Sequence, residues 1–153
     1  MANTYIQIHL QFVFAVQNRI SLIHPSWKNE LYKYITTIVQ NDGHKLLIIN
    51  DMPDHIHILI GMRPTQSVSD LMKEVKGDSS YWINQKHFVQ GKFSWQEGYG
   101  AFSYSKGQVP TVIDYIKNQE EHHKKKTFRE EYLDMLKKYE VEFDEQYIFH
   151  SVE

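Results

Sequence analysis

His55-Ile56-His57 is the sharpest chemical signal in this 153-residue chain. Read on a strand, residues two apart leave the same face about 6.5–7 Å from each other, so both imidazoles project together while Ile56 anchors the opposite face in the core. Two such nitrogens can meet on one divalent metal. The same pair equally describes two solvent-facing sheet residues. An H-x-H-x-D hydrolase pattern fails at Leu59, and a TIM-type barrel needs about 250 residues.

A second constellation lies further on. Val109, Val112, Ile113 and Ile116 recur as the apolar stripe of a helix, and Tyr115 and Gln119 fall together on its flank at i and i+4. The Gln119 carbonyl oxygen can serve as a third metal ligand. Tyr115 can then act as nucleophile, because a metal that polarises a phosphoryl oxygen makes an otherwise weak phenol competent to attack it. A tyrosine on a helix flank is also an ordinary packing residue.

These side chains need elements to hold them. From Tyr5 to Val16 every even position is apolar while Gln7, His9 and Gln11 alternate with them, the period of a half-buried strand. On this reading His9, on the polar face, can neighbour the site, although a histidine there is more simply a surface residue. A helix follows from Pro25-Ser26 to Asn41-Asp42-Gly43, with Trp27, Leu31, Tyr34, Ile35 and Ile38 as its stripe. His44–Asn50 and His55–Met62 read as strands joined by the turn Met52-Pro53-Asp54, giving an antiparallel hairpin. A second helix spans Val68–Asn84, with Gly77 as its expected break. Phe93–Trp95 and Tyr99–Tyr104 read as another hairpin about Gly98, Gln108–His123 as a third helix, and 127–139 as a fourth, opened by a Thr127/Glu130 capping box. The order predicts an α+β fold of ferredoxin-like or RRM-like type: an antiparallel sheet with helices packed on it, plus a C-terminal helix carrying Tyr115.

Length and composition set the frame. At 18.3 kDa, with 41% apolar and 24% charged residues, the chain reads as one compact domain over 1–153. It contains no Cys, which removes disulfide scaffolds, thiolate metal sites and cysteine nucleophiles. No run approaches the ~18 apolar residues of a membrane span and the N-terminus has no basic lead, so a cytoplasmic protein is expected. The net charge of −2 is unevenly spread. Through residue 129, 15 Lys and Arg against 11 Asp and Glu leave +4; from 130 onward, 2 against 8 leave −6. A mildly basic body with an acidic tail leaves nucleic acid open as a partner, and the tail is expected to lie away from the site. Arg19, Arg63, Lys73, Lys76, Lys106 and the run Lys124-Lys125-Lys126 are the candidate phosphate contacts, although a charge run is usually a solvated helix end.

Three blocks, PDHIHILI at 53–60, GYGAFSYS at 98–105 and VIDYIKNQEEHHKKKTFREE at 112–131, resemble the signature blocks of the single-tyrosine HUH transposases, the insertion-sequence-200-like group that moves single-stranded DNA and includes REP-associated relatives. The resemblance runs from the first strand to about residue 148. It implies that His55 and His57 are the paired metal histidines, Gln119 a metal ligand and Tyr115 the catalytic tyrosine. It further implies a Mg²⁺ or Mn²⁺ ion, a 5′-phosphotyrosine intermediate, DNA hairpins as partners, and a homodimer with sites completed in trans, for which Gly107 after Ser105-Lys106 would be the hinge. The alternatives are a module on the same fold that holds hairpins without cutting them, and a metal-dependent hydrolase of small phosphoesters, which would not need a positioned tyrosine.

Overall fold

The first strand ends up in the middle of a sheet. In the computed structural model, which describes residues 4–144 and Ile148, the order is β1 (His9–Ala15), α1 (Lys28–Asn41), β2 (Lys45–Met52), β3 (His55–Gly61), α2 (Val68–Lys86) and β4 (Gly100–Tyr104). The strands lie in the order β2-β3-β1-β4, each neighbouring pair antiparallel. Hence β1-α1-β2 and β3-α2-β4 are two interleaved split βαβ units, which is the expected ferredoxin-like topology. Three further helices follow: α3 (Val109–Lys117), α4 (Gln119–His122) and α5 (Phe128–Lys138).

Local chemistry sets the boundaries. Gly43 adopts φ +89 just beyond α1, a conformation that stops a helix at no steric cost to glycine. Met52 pairs with His55, which leaves Pro53-Asp54 as a two-residue turn and makes His55 the first residue of β3. Thr127 and Glu130 form the expected capping box at the start of α5.

Both faces of the sheet are covered. Phe12 and Phe14 of β1 and Ile56, Ile58 and Ile60 of β3 pack with Leu31 and Ile35 of α1 and Leu71 and Val75 of α2. On the other face Val13, Ala15 and Phe102 meet Phe128, Tyr132 and Leu136 of α5, and Leu59 meets Val112 and Ile116 of α3. The alternation of the first strand therefore does not mean a half-buried strand: Val13 and Ala15 are as fully buried as Phe12 and Phe14, because α3 to α5 fold back over the face that carries the histidines.

Three further expectations are corrected. Gly77 does not break α2, which runs through it unbroken; a lone glycine costs a helix only about 1 kcal/mol, less than the packing of Leu71, Met72, Val75 and Ile83 supplies. Phe93–Trp95 and the following strand do not pair with each other. Both bind β1 instead, β4 through a regular ladder and Trp95 through an isolated bridge to Val16. The helix expected over 108–123 is interrupted at Asn118 (φ −101, ψ 26), where α3 ends and α4 begins.

Gly100 marks the closest approach of β4 and α5. A Cβ there would lie 2.8 Å from the Tyr132 ring and hydroxyl and 3.0 Å from the Phe102 ring. Gly100→Ala is therefore expected to lower stability by about 1–3 kcal/mol, as overpacking does, and to lower Tm by several degrees; thermal unfolding followed by circular dichroism checks it. An unchanged Tm would mean that α5 is not seated on β4 as described.

Candidate metal and nucleophile site

His55 and His57 leave β3 on the face covered by α3 to α5, and both are fully buried. They are not solvent-facing sheet residues. His55 Nδ1 donates to Asp54 Oδ1 at 2.7 Å, so the turn that starts β3 also aims the ring. Phe128 stacks on it with ring centroids 3.7 Å apart. Burial first of all, against the opposing pull of Asp54, lowers the His55 pKa and keeps the ring in the neutral form that binds metals. On the far side of the pair, the Tyr115 ring stands 6.1 Å from the His57 ring.

Gln119, also buried, opens α4 with Oε1 3.4 Å from His55 Nε2. Asn50, which lies opposite His57 on β2, donates from Nδ2 to the Ile116 carbonyl at 2.8 Å. This bond ties the last turn of α3 to the sheet, next to the interruption that presents Gln119.

The residue at the centre of the site is Glu131, on α5. Its Oε1 lies 3.2 Å from His57 Nε2, 3.2 Å from His123 Nε2 and 3.7 Å from His55 Nε2. Its Oε2 accepts from Gln119 Nε2 at 3.0 Å and from the Tyr115 hydroxyl. Burial alone would raise the Glu131 carboxyl, but hydrogen bonds from His123, His57 and the Tyr115 hydroxyl hold it far below the usual carboxylate range. The Tyr115 phenol is pushed well above its ordinary value, by burial and then by the charge and hydrogen bond of Glu131.

Glu131 overturns the expectation that the acidic tail lies away from the site. The signal for it was present in the sequence. Phe128, Tyr132, Met135 and Leu136 form the buried stripe of α5, and Glu131 falls inside that stripe and is itself buried; a carboxylate there needs partners. His9 lies on the same sheet face but further along β1, half-buried, where it hydrogen-bonds Gln7. The strand residue that reaches the site is Gln11, two positions on.

The donor set fits a divalent ion. His55, His57 and Glu131 each offer an atom within 4.8 Å of the others, the one such cluster among the described residues. With the Gln119 amide oxygen this makes two imidazole nitrogens and two oxygens, a set suited to Mn²⁺ at least as well as to Mg²⁺, which prefers oxygen throughout. A groove of about 770 Å³ opens from the site between α3–α4 and α5, with Tyr104, Tyr115, His122, Lys125 and Lys138 in its walls.

The basic residues separate into two groups. Lys125 and Lys126 border the groove, Lys126 paired with Asp134 and Lys124 with Glu121. Arg19 is half-buried close enough to Asp54 to favour its ionised form. Arg63 follows the far end of β3, and Lys73 and Lys76 sit on α2, across the sheet from the histidines. Lys76 Nζ donates to the Gln96 and Gly98 carbonyls and so pins the loop before β4. Lys106 and Gly107 lie exposed in the 3-10 turn before α3, where Gly107 has no close neighbour. No helix among the described residues is long and apolar enough to cross a membrane.

Residues 4–119 match the family described as IS200-like transposase. The ISDra2 transposase TnpA of Deinococcus radiodurans is 23% identical over 118 residues, covering 74% of this chain and 84% of that protein. Two solved structures share the fold. A candidate transposase from Deinococcus radiodurans superposes with a TM-score of 0.60 at 22% identity, over 78% of this chain and 95% of its own. A REP-associated tyrosine transposase bound to a REP hairpin gives 0.61 at 16% identity, over 80% and 73%.

Proposed function

The chain belongs to the IS200-like transposase family, and from that premise we propose that it cleaves and rejoins single-stranded DNA through Tyr115, with a divalent ion held by His55, His57, Glu131 and Gln119. The observation that carries this reading is the convergence of the Tyr115 hydroxyl and both histidines on the one carboxylate of Glu131. The bound ion would act as a Lewis acid on a non-bridging oxygen of the scissile phosphate. Tyr115 Oη attacks the phosphorus as its proton passes to the Glu131 carboxylate it touches and on to solvent; the bond from Oη to the 5′-phosphate forms as the bond from phosphorus to the 3′-oxygen breaks, and that oxygen takes a proton from solvent and leaves as a 3′-hydroxyl. Because the phosphotyrosine keeps the energy of the broken bond, a second 3′-hydroxyl can reverse the step onto a new end without ATP.

DNA hairpins are the proposed ligand, supported by the hairpin bound to the REP-associated relative of the same fold. Lys125 and Lys126 stand where a strand leaving Tyr115 would pass. Lys106, Lys124 and Arg19 lie on elements flanking the site and extend the same path, while Arg63, Lys73 and Lys76 would serve only DNA that wraps to the other face. Within one chain the whole set assembles in cis. A homodimer exchanging α3 and α4 about Ser105-Lys106-Gly107 would rebuild it between two copies. The full complement of nucleophile and metal ligands within one chain favours the enzyme over a hairpin-holding module.

A suicide oligonucleotide, a hairpin with a nick a few nucleotides 5′ of the cleavage site so that the short 3′-hydroxyl fragment is lost, tests the reading. We expect a covalent DNA–protein adduct with Mn²⁺ or Mg²⁺, lost on chelation and restored by adding the ion back. An adduct that forms equally in chelator would overturn the metal assignment; no adduct with any hairpin from the flanks of its coding region would overturn the activity.

A further inference from the structure

Gln11 is 1% exposed, in the middle of β1, and neither the metal set nor the nucleophile uses it. Its neighbours give it a task. Gln11 pairs with Leu59 and Phe102, while His57 pairs with Val13, so His57, Gln11 and Tyr104 lie on one diagonal across β3, β1 and β4, all on the face covered by α3 to α5. Gln11 Nε2 donates to His57 Nδ1 at 2.8 Å, and the Tyr104 hydroxyl donates to Gln11 Oε1 at 2.7 Å.

The direction of this chain follows from its far end. His57 Nε2 faces the Glu131 carboxylate at 3.2 Å, an ionised group that only accepts. The ring therefore carries its proton on Nε2, leaves Nδ1 as acceptor, and takes the Gln11 N–H there. A metal on Nε2 requires the opposite: a free pair on Nε2 and the proton on Nδ1. An amide can serve both states, because turning it over swaps donor for acceptor in the same volume.

We propose that Gln11 is a positioning residue whose amide, oriented by Tyr104, sets which nitrogen of His57 carries the proton and turns over when a divalent ion binds. This rests on the metal reading above. On binding, the His57 proton passes from Nε2 to Nδ1 by exchange with water, with no net change in protonation. Gln11 Oε1 then accepts from Nδ1–H, Gln11 Nε2 donates to the Tyr104 oxygen, and the Tyr104 hydroxyl swings toward Tyr139, whose ring lies beside it with centroids 5.8 Å apart.

Two readouts test it on the whole chain: Mn²⁺ affinity by electron paramagnetic resonance, and the ¹⁵N shifts of the His57 ring with and without Mg²⁺. The wild-type ring is expected to switch from Nε2–H to Nδ1–H on adding Mg²⁺. Gln11→Met, similar in length but unable to hydrogen-bond through an amide, is expected to weaken Mn²⁺ binding about 10- to 100-fold, the usual cost of losing such a partner, and Tyr104→Phe by a few-fold. Gln11→Glu, which can accept from Nδ1–H, is expected to bind within a few-fold of wild type. That order is the reverse of what packing alone dictates, since Met suits a buried position better than Glu. A Gln11→Met protein with wild-type affinity and an unchanged ring, or a Gln11→Glu protein as weak as Gln11→Met, overturns the proposal while leaving the metal site standing. A wild-type protein that binds no Mn²⁺ overturns the metal reading itself.

Discussion

Tyr115→Phe is expected to lower covalent adduct formation by at least about a thousandfold, roughly 4 kcal/mol of barrier, because a phenyl ring has no oxygen to place on phosphorus and no water can substitute in a step whose product is a protein–DNA bond. Hairpin binding should stay within a few-fold, since DNA affinity comes from phosphate contacts that the substitution leaves in place. The fold should survive too. Tyr115 is half-buried on α3, its ring stays in contact with His122 (centroids 4.5 Å apart), and what is lost is the hydroxyl's bonding to Glu131 and Gln119. The measurement is a denaturing gel of the suicide-oligonucleotide reaction beside a gel-shift titration of the uncleavable hairpin. A residual adduct at wild-type level, mapped by mass spectrometry to Tyr104 or Tyr139 in the same groove, would move the nucleophile and sink the assignment of Tyr115.

The parts of this site that are legible in the sequence are those set by local periodicity. His55 and His57 are two apart on a strand and Tyr115 and Gln119 four apart on a helix, and even the interruption at Asn118 leaves the last two both reaching Glu131. Glu131 belongs to a different category. It reaches the histidines only because α5 crosses the sheet on Phe128, Tyr132 and Leu136, a contact between residues more than 70 positions apart that no window on the sequence contains. Counted with its neighbours it is one more charge in an acidic tail; placed on the helix it is a carboxylate in an apolar stripe. The same distinction explains the missing second hairpin. Trp95 and β4 have strand-like sequences, but which strand they pair with is decided by the free edge of β1, a tertiary fact. Gln11 is the subtlest case, since a polar residue on the outer face of an alternating strand looks solvated until a third layer closes over it.

Glu131→Gln carries the second large expected effect. The substitution keeps the shape of the side chain and an oxygen to accept from Tyr115 and Gln119; it removes the charge and the oxygen that faces His57 and His123. If Glu131 is a metal ligand, removing that charge costs affinity directly, and we expect cleavage at fixed, sub-saturating Mn²⁺ to fall about a hundredfold or more, beyond the 10- to 100-fold typical of a residue that only supports a ligand. The loss should shrink as Mn²⁺ is raised, whereas the loss in Tyr115→Phe should not. Glu131→Ala is the poorer test, because it strips partners from His57, His123 and Gln119 at once, each costing about 1–3 kcal/mol when left unsatisfied in a buried site. The opposite result has its own meaning. The carboxylate touches the nucleophile and both histidines, which is also where a scissile phosphate would sit; a Glu131→Gln protein that cleaves faster than wild type at every metal concentration would show that Glu131 blocks the site rather than builds it.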